Sequence, residues 1–328
     1  MLRIHFGDAD LARTRVATTP DPLWETAVSL HRFQTRRGRW AYAGWHRSTR
    51  MRLRERGIER AVRDVLIPLF PRAAYFPDFL TPAESAEGLD AGLEAIVATP
   101  SRRVMREIAA LDAVVGAPAW AARLVDWRAR VELTGLLRAY VDAAITPYGD
   151  TVAARIEAQR GVHLRQLRDA GARGMLEGLG PVLRWEEPVL HAAGYPVDRD
   201  VHLDGRGLVL VPSYFCWGDP ITLADPALPP TLIYPLLHEP SADTVGDVAA
   251  SLAALLGHTR AQVLRAAATG ATTGELARAV GVSTASASRH AGVLREAGLL
   301  CSSRCAAMVL HTLTPLGRAL LQRSPVLH

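Results

Sequence analysis

The chain has 328 residues, 49% of them hydrophobic and 22% charged, with a net charge of +5. That balance excludes a disordered chain and allows one large domain or two ordinary ones. No run of about 18 uncharged apolar residues occurs, so no membrane partner is expected. Three cysteines (Cys216, Cys301, Cys305) are too few for a disulfide framework.

Every basic residue is Arg, and Asn is absent as well, the bias of GC-rich codons. The distribution of charge therefore carries more than the Arg count. Residues 36–72 hold eleven Arg against Glu55, Glu59 and Asp64, and residues 241–328 hold eight Arg against four acids. The remainder is acidic, a separation that suits a polyanion. The run Arg36–Arg63 has two readings, an extension of a nucleic-acid footprint or a solvated face paired with the acidic remainder. The second is preferred.

In chain order, the opening Met1–Asp8 does not read as a signal peptide, because its apolar run is short and an acid follows it. A cytoplasmic location is expected. Leu2–Phe6 suits a strand. Thr81-Pro-Ala-Glu84 reads as a capping box opening a helix that carries Leu89, Leu93, Ile96 and Val97. Ser101 is placed as the cap of the next helix, and residues 128–145 repeat Leu133, Leu136, Leu137, Tyr140, Val141 and Ala144 at helical spacing, with Val131 alongside. Asp150 is expected to cap a further helix ending at Gly171.

After Pro181 the pattern turns to strands. Val201–Val211 reads as a hairpin about Asp204-Gly205, with strand material at Ser213–Trp217 and Pro230–Leu237 and a Pro-rich loop between. The fold class expected is α+β, mainly helical. A domain of residues 1–240 ends in a β-hairpin segment and serves dimerisation or ligand sensing. A second domain covers residues 241–328.

The second domain has the most legible order. Asp247–Leu256 is expected as a helix ending at Gly257. Thr259-Arg-Ala-Gln262 and Thr272-Thr-Gly-Glu275 read as capping boxes for the next two helices. Gly281 makes a sharp turn, Ser283 caps a helix over Thr284–Ala297, and Gly298 ends it. Leu299–Arg304 and Met308–Leu313 then form a hairpin, and Thr314-Pro315 opens a last helix. A short helix, a Gly turn and a second capped helix allow the first to brace while the second enters the major groove of DNA. Val282, Ala287, Val293 and Leu294 are assigned to the buried side. The DNA-contacting residues expected are Thr272, Thr273, Ser283, Thr284, Ala285, Ser286, Ser288, Arg289 and His290, with Arg304 from the hairpin.

Thr273–His290 and Val293-Leu-Arg-Glu-Ala-Gly-Leu-Leu300 resemble the ArsR-type winged helix-turn-helix regulators. Two departures are Ala291-Gly292, where that family usually has Leu and a basic residue, and a hairpin tip with one Arg. The resemblance implies a homodimer that binds double-stranded operator DNA, more often as a repressor, and dimerises through flanking helices, here Asp247–Leu256 and Leu316–Gln322. Asp10–Val16, Pro22–Glu25, Tyr75–Pro82 and Gly207–Ser213 resemble the uncharacterised N-terminal domain that precedes such modules in GC-rich bacteria, which implies no chemistry.

The cysteine motif that metal-sensing members place before the turn is absent from Glu275–Val280. Cys301 and Cys305 with His311 could be drawn as a thiolate site, but packing in the hairpin is the preferred reading, so neither metal nor cofactor is assigned. No phosphate loop, dinucleotide fingerprint, nucleophile elbow or His-Glu-x-x-His occurs, and no catalysis is expected. Asp198, Asp200 and Asp204 near His202 read as a solvated strand face. Trp185, Tyr214, Phe215 and Trp217 are the candidates for an apolar effector pocket, against ordinary aromatic core. The alternative to regulation by DNA binding is a winged-helix protein used mainly for protein contacts, or a small-molecule-responsive regulator without metal sensing.

Overall fold

The computed structural model describes residues 1–236, 248–268, 270–305 and 308–322, without the side chains of residues 248–251, 305, 319 and 322. The chain divides into two units, Met1–Leu237 and His238–His328. Both mix helices with small sheets, so the fold is α+β.

The first unit opens with β1 (Leu2–His5), α1 (Asp8–Arg13) and the two-residue β2 (Arg15–Val16). A long buried helix follows, α2 (Pro22–Phe33), and then α3 (Ala43–Glu55). Helical chain continues from α4 (Glu59–Ala61) through a π-turn (Val62–Leu66) into α5 (Ile67–Leu69). Next come α6 (Leu89–Ala98), α7 (Ser101–Val115), α8 (Trp127–Ala144) and α9 (Gly149–Glu177). Six strands close the unit: β3 (Leu183–Glu186), β4 (Val189–Ala192), β5 (Arg199–His202), β6 (Val209–Ser213), β7 (Ile221–Thr222) and β8 (Thr231–Pro235).

Two cores organise this unit. The helices bury aromatic and aliphatic residues such as Trp24, Trp45, Phe79, Leu137 and Tyr140 together with Phe215 and Ile233 from the strand region. The other core lies where the sheet ordered β3-β4-β1-β5 meets the end of α9, through Leu2, Ile4, Met175, Leu176 and Leu190. In β1, Leu2 and Ile4 are buried while Arg3 and His5 alternate outward. There Arg3 and His5 hold Asp200 at 2.7 Å each, and His5 stacks on His202 at 4.4 Å. Of the acids near His202, Asp200 is thus paired across strands.

Several local readings are corrected. The expected hairpin at Asp204-Gly205 is a tight turn with φ of 52° and 78°, yet its two arms join different sheets. β5 runs parallel to β1, and β6 runs parallel to both β2 and β8 in the sheet β2-β6-β8-β7. Residues from the start of the chain capture the second arm. Gly207 donates its N–H to Asp10 Oδ1 at 2.9 Å, and Leu208 donates to Thr14 Oγ1 at 3.2 Å. The closing segment therefore contributes to two sheets, with an antiparallel hairpin at β3–β4 and not at Val201–Val211, and Tyr214–Trp217 are loop, with only Ser213 in β6.

Thr81 caps no helix. Ser85 Oγ donates to Asp21 Oδ2 at 2.6 Å, a short 3-10 turn runs from Ala83 to Glu87, and α6 starts only after Gly88 at φ 133°. Asp21 itself caps α2, accepting from the N–H groups of Leu23 and Trp24. Ser101 lies inside α7 behind Pro100 and donates to the carbonyl of Val125. Asp150 sits in the first turn of α9, and Gly171 at φ 66° kinks that helix instead of ending it. Val131 is an exposed position of α8.

The second unit contains α10 (Val248–Leu256), α11 (His258–Ala266), β9 (Ala271–Thr272), α12 (Thr273–Val280), α13 (Thr284–Glu296), β10 (Leu300–Cys305), β11 (Met308–Leu313) and α14 (Pro315–Gln322). Asp247 and the boundary at Glu239–Ser241 lie outside the described residues. Gly257, in extended form with positive φ, stands where the cap at Thr259 was expected, so α11 has no capping box. Val263, Leu264, Leu276, Ala277, Ala287, Ala291 and Leu294 make one core with Leu299 and Leu300.

Candidate functional site

In the second unit, backbone caps set the angle between two helices. Thr272 accepts from the N–H of Glu275, whose carboxylate accepts from the N–H of Thr272 at 2.8 Å, a reciprocal box that starts α12. Gly281 ends it at φ 72°, ψ 35°, the left-handed region. Ser283 then caps α13, accepting from Ser286 N–H at 3.2 Å. Ala287, Ala291 and Leu294, spaced at helical intervals, face the core; the two small residues let α13 approach α11 and α12 closely.

The opposite side of α13 is the more exposed one. Ser283, Thr284, Ala285, Ser288 and Arg289 are exposed, Ser286 and His290 half-buried. No described residue pairs with the Arg289 guanidinium. Val293 is 40% exposed and so belongs to this outer side, not to the core: Ala291 and Leu294 take the inward positions. Thr272 and Thr273 differ from the rest of the set, since internal bonds occupy their hydroxyls; that of Thr273 meets His311 Nε2 at 2.9 Å.

β10 pairs antiparallel with β11, which also pairs with β9. Arg304 is exposed, opposite Val309. His311 is buried and uses both ring nitrogens, Nδ1 with Ser302 Oγ at 2.8 Å and Nε2 with Thr273. Cys301 is exposed and pairs with Thr312, so strand alternation puts it on the face opposite His311. The Cys305 side chain lies outside the described residues.

Gly292 is an interior residue of α13 without positive φ, and a Cβ there would meet nothing within 4 Å. Gly292→Ala is expected to stabilise the second unit by about 0.5–1 kcal/mol, read from denaturant midpoints.

In the first unit, the four aromatic candidates separate. Trp185 packs edge-on against Phe6 at 5.1 Å beside the β1 sheet. Phe215 is fully buried against Trp45 at 4.9 Å, and Tyr214 stands 6.0 Å from Tyr42. Trp217 alone of the four lines a cavity of about 350 Å³. The reason is strand pairing, which carries Trp185 to the other sheet, and the bend at 214–215, which turns Phe215 into the helical core.

That cavity holds residues the sequence reading missed. His31 and Arg32, near the end of α2, line it with Arg72, Tyr75, Cys216 and Asp219. α2 is buried at every position from Leu23 to Arg32. A helix apolar on all sides but carrying Glu25, His31 and Arg32 was the available signal, because such groups need partners. Glu25 has them: it accepts from Ser213 Oγ at 3.1 Å and from the N–H groups of Tyr214 and Phe215 at 2.8 and 3.0 Å. This anchors the loop that delivers Cys216 and Trp217 to the cavity.

Much of the basic run is internally paired. Glu59 takes Arg54 and Arg50, Asp64 takes Arg63 and Arg60, and Asp219 takes Arg37 and Arg72. Arg52 donates to the carbonyl of Ala143 at 2.7 Å.

No family model, no curated protein and no solved structure matches the chain. No helix among the described residues is long and apolar enough to cross a membrane.

Proposed function

We propose that the second unit is a winged helix-turn-helix that binds double-stranded DNA, and that the protein is a cytoplasmic, non-enzymatic transcription regulator. α12 braces on the backbone, α13 enters the major groove, and β10–β11 is the wing. One observation carries this reading: an unpaired Arg289 with Ser288 and Thr284 on the open face of a helix rigidly capped at Ser283. A guanidinium donates twice to one guanine, and hydroxyls reach phosphates or base edges. The resemblance of Thr273–His290 to ArsR-type regulators points the same way.

The protein acts as a homodimer on a palindromic operator, since one recognition helix covers only a half-site. Leu255 on α10 and Leu316 on α14, 72% and 59% exposed, offer apolar surface on the flanking helices. Repression is the expected sign of regulation. Arg304 supplies one phosphate contact. The pairing of Arg37, Arg50, Arg54, Arg60 and Arg63 with Glu59, Asp64 and Asp219 favours a structural role for those arginines over DNA binding.

The test is selection of bound duplexes from a genomic library by the full chain, followed by titration of the selected site. Arg289→Ala is expected to weaken the selected site about 10- to 100-fold and to relax preference at one base pair, for a loss of about 1–3 kcal/mol. Arg304→Ala should lower the salt slope by about 0.9 with preference unchanged. Failure to enrich any duplex at low salt, with a dimer demonstrated by mass, defeats the reading.

A further inference from the structure

The strongest unexplained feature outside the second unit is the end of α2. Arg32 is 7% exposed, and its Nε and Nη1 are buried without a hydrogen-bond partner among the described residues. Its guanidinium lies 5.8 Å over the ring of Tyr42, a contact that leaves the in-plane N–H groups unused. No carboxylate pairs with it among the described residues; the charged neighbours are Arg37 and Arg72, which repel it. The one carboxylate nearby that faces arginine, Asp219, is already shared between Arg37 at 2.8 Å and Arg72 at 3.3 Å. Asp78, also on the cavity, is engaged by the N–H groups of Ala224 and Asp225. Beside Arg32, His31 is 6% exposed with Nε2 unpartnered. Burial, with Arg32 and Arg72 beside it, holds that ring neutral, its pKa brought down to about 3.

An arginine cannot escape burial by losing its proton, and a buried charge without a counterion is costly. The chemistry that satisfies such a group is an anion. Trp217, Tyr75, Phe76 and Ile221 add aromatic and apolar surface to the lining of the same cavity. Arg32, Arg37 and Arg72 against Asp78 and Asp219 leave one positive charge in surplus. That surplus matches a monoanion better than a phosphate monoester. The volume of about 350 Å³ suits a small molecule, not a dinucleotide.

We propose that this cavity is a binding site for a small monocarboxylic acid with an aromatic or branched apolar body, its carboxylate on Arg32 and its body against Trp217. His31 Nε2 contributes one further hydrogen bond. The site belongs wholly to the first unit, and the proposal stands whether or not the second unit binds DNA.

The experiment titrates benzoate, phenylacetate and indole-3-acetate into the full chain in low-chloride buffer, by calorimetry and tryptophan emission. Phenylacetamide, inorganic phosphate and AMP serve as comparators. At least one of the acids is expected to bind and shift the emission, with the amide at least tenfold weaker than phenylacetate and no competition from phosphate or AMP. Arg32→Met is expected to weaken the acid roughly thirtyfold and, in the ligand-free protein, to raise the unfolding midpoint, since it removes an unpaired buried charge. Arg32→Lys keeps the charge without the planar fork and covers the case in which the methionine variant does not fold; it should weaken the acid about tenfold. Silence of all three acids, equal binding of acid and amide, unchanged affinity in Arg32→Lys or a folded Arg32→Met, or displacement by AMP would overturn the proposal.

Discussion

Glu25→Ala is expected to lower the stability of the first unit by about 3 kcal/mol, because it strips three donors of their buried acceptor. Those donors are Ser213 Oγ and the N–H groups of Tyr214 and Phe215. Ser213 Oγ also accepts from the N–H of Cys216 at 3.2 Å, so the same substitution loosens the loop that carries Trp217 into the cavity. Urea unfolding of the full chain, followed by tryptophan emission, measures the loss. A change below about 0.5 kcal/mol, the level of an ordinary surface substitution, would show that the carboxyl is dispensable.

The same residue makes stability depend on pH. Burial pushes the Glu25 carboxyl up to about 7, against the pull of its three donors. The folded chain therefore holds a proton that the unfolded chain has released from about 4.5 upward. The stabilisation is full below that pH and is lost as pH rises through about 7, a span worth about 3 kcal/mol. His31 acts in the opposite sense, its penalty developing as pH falls from 6.5 towards about 3. Comparing wild type with Glu25→Gln isolates the carboxyl: the stability gap should be widest below about pH 4.5, shrink as pH rises towards 7, and stay at its smallest above that. A gap that does not change with pH would contradict the assignment.

The second large effect is expected at Gly207. Its φ of 72° already favours glycine, and a Cβ there would lie 2.6 Å from the backbone carbon and oxygen of Arg13. Backbone cannot swing aside as a side-chain tip can, so Gly207→Ala should cost about 2–4 kcal/mol and weaken the pairing of β6 with β2. Gly205→Ala is the control. It has a similar φ of 78°, but its nearest neighbours would be 3.9 Å away, so only the turn strain of about 1 kcal/mol remains. Equal losses at the two positions would mean that the crossing with Arg13 does not matter. Protease sensitivity of the first unit offers an independent reading.

The contrast between the two units explains what could be read beforehand. Around α12 and α13, Thr272, Glu275, Gly281, Ser283 and Gly298 each act within about four residues of themselves, and each stands as its local chemistry requires. The misplacement of Val293 is instructive: Leu294 and Val293 are adjacent and both apolar, and only the packing of Ala291 and Ala287 decides which turns inward. In the first unit the local signals were as strong but were overruled. Asp204-Gly205 does form its turn, and Asp10 and Thr14 then take the hydrogen bonds that a hairpin partner would have made. At Thr81, the hydroxyl donates back to the carbonyl of Asp78 at 3.4 Å, and Ser85 in the following 3-10 turn donates to Asp21.

The cavity shows the same limit in its chemistry. Aromatic residues close in sequence suggested a pocket, but sequence proximity does not bring Trp185 and Trp217 to one wall. The residues that give the cavity its character, His31 and Arg32, sit in a helix whose burial depends on every element packed around it.

The amino-acid sequence by itself therefore determined the caps and turns around α12 and α13, and the strand at the start of the chain, because those depend on periodicity and on hydrogen bonds between near neighbours. Only the tertiary structure decided which strands pair, where the first unit's cavity lies, and that Arg32 lines it with no carboxylate partner among the described residues. Those outcomes depend on contacts between residues up to about 200 positions apart, such as Asp10 with Gly207 and Glu25 with Phe215, for which no local pattern exists.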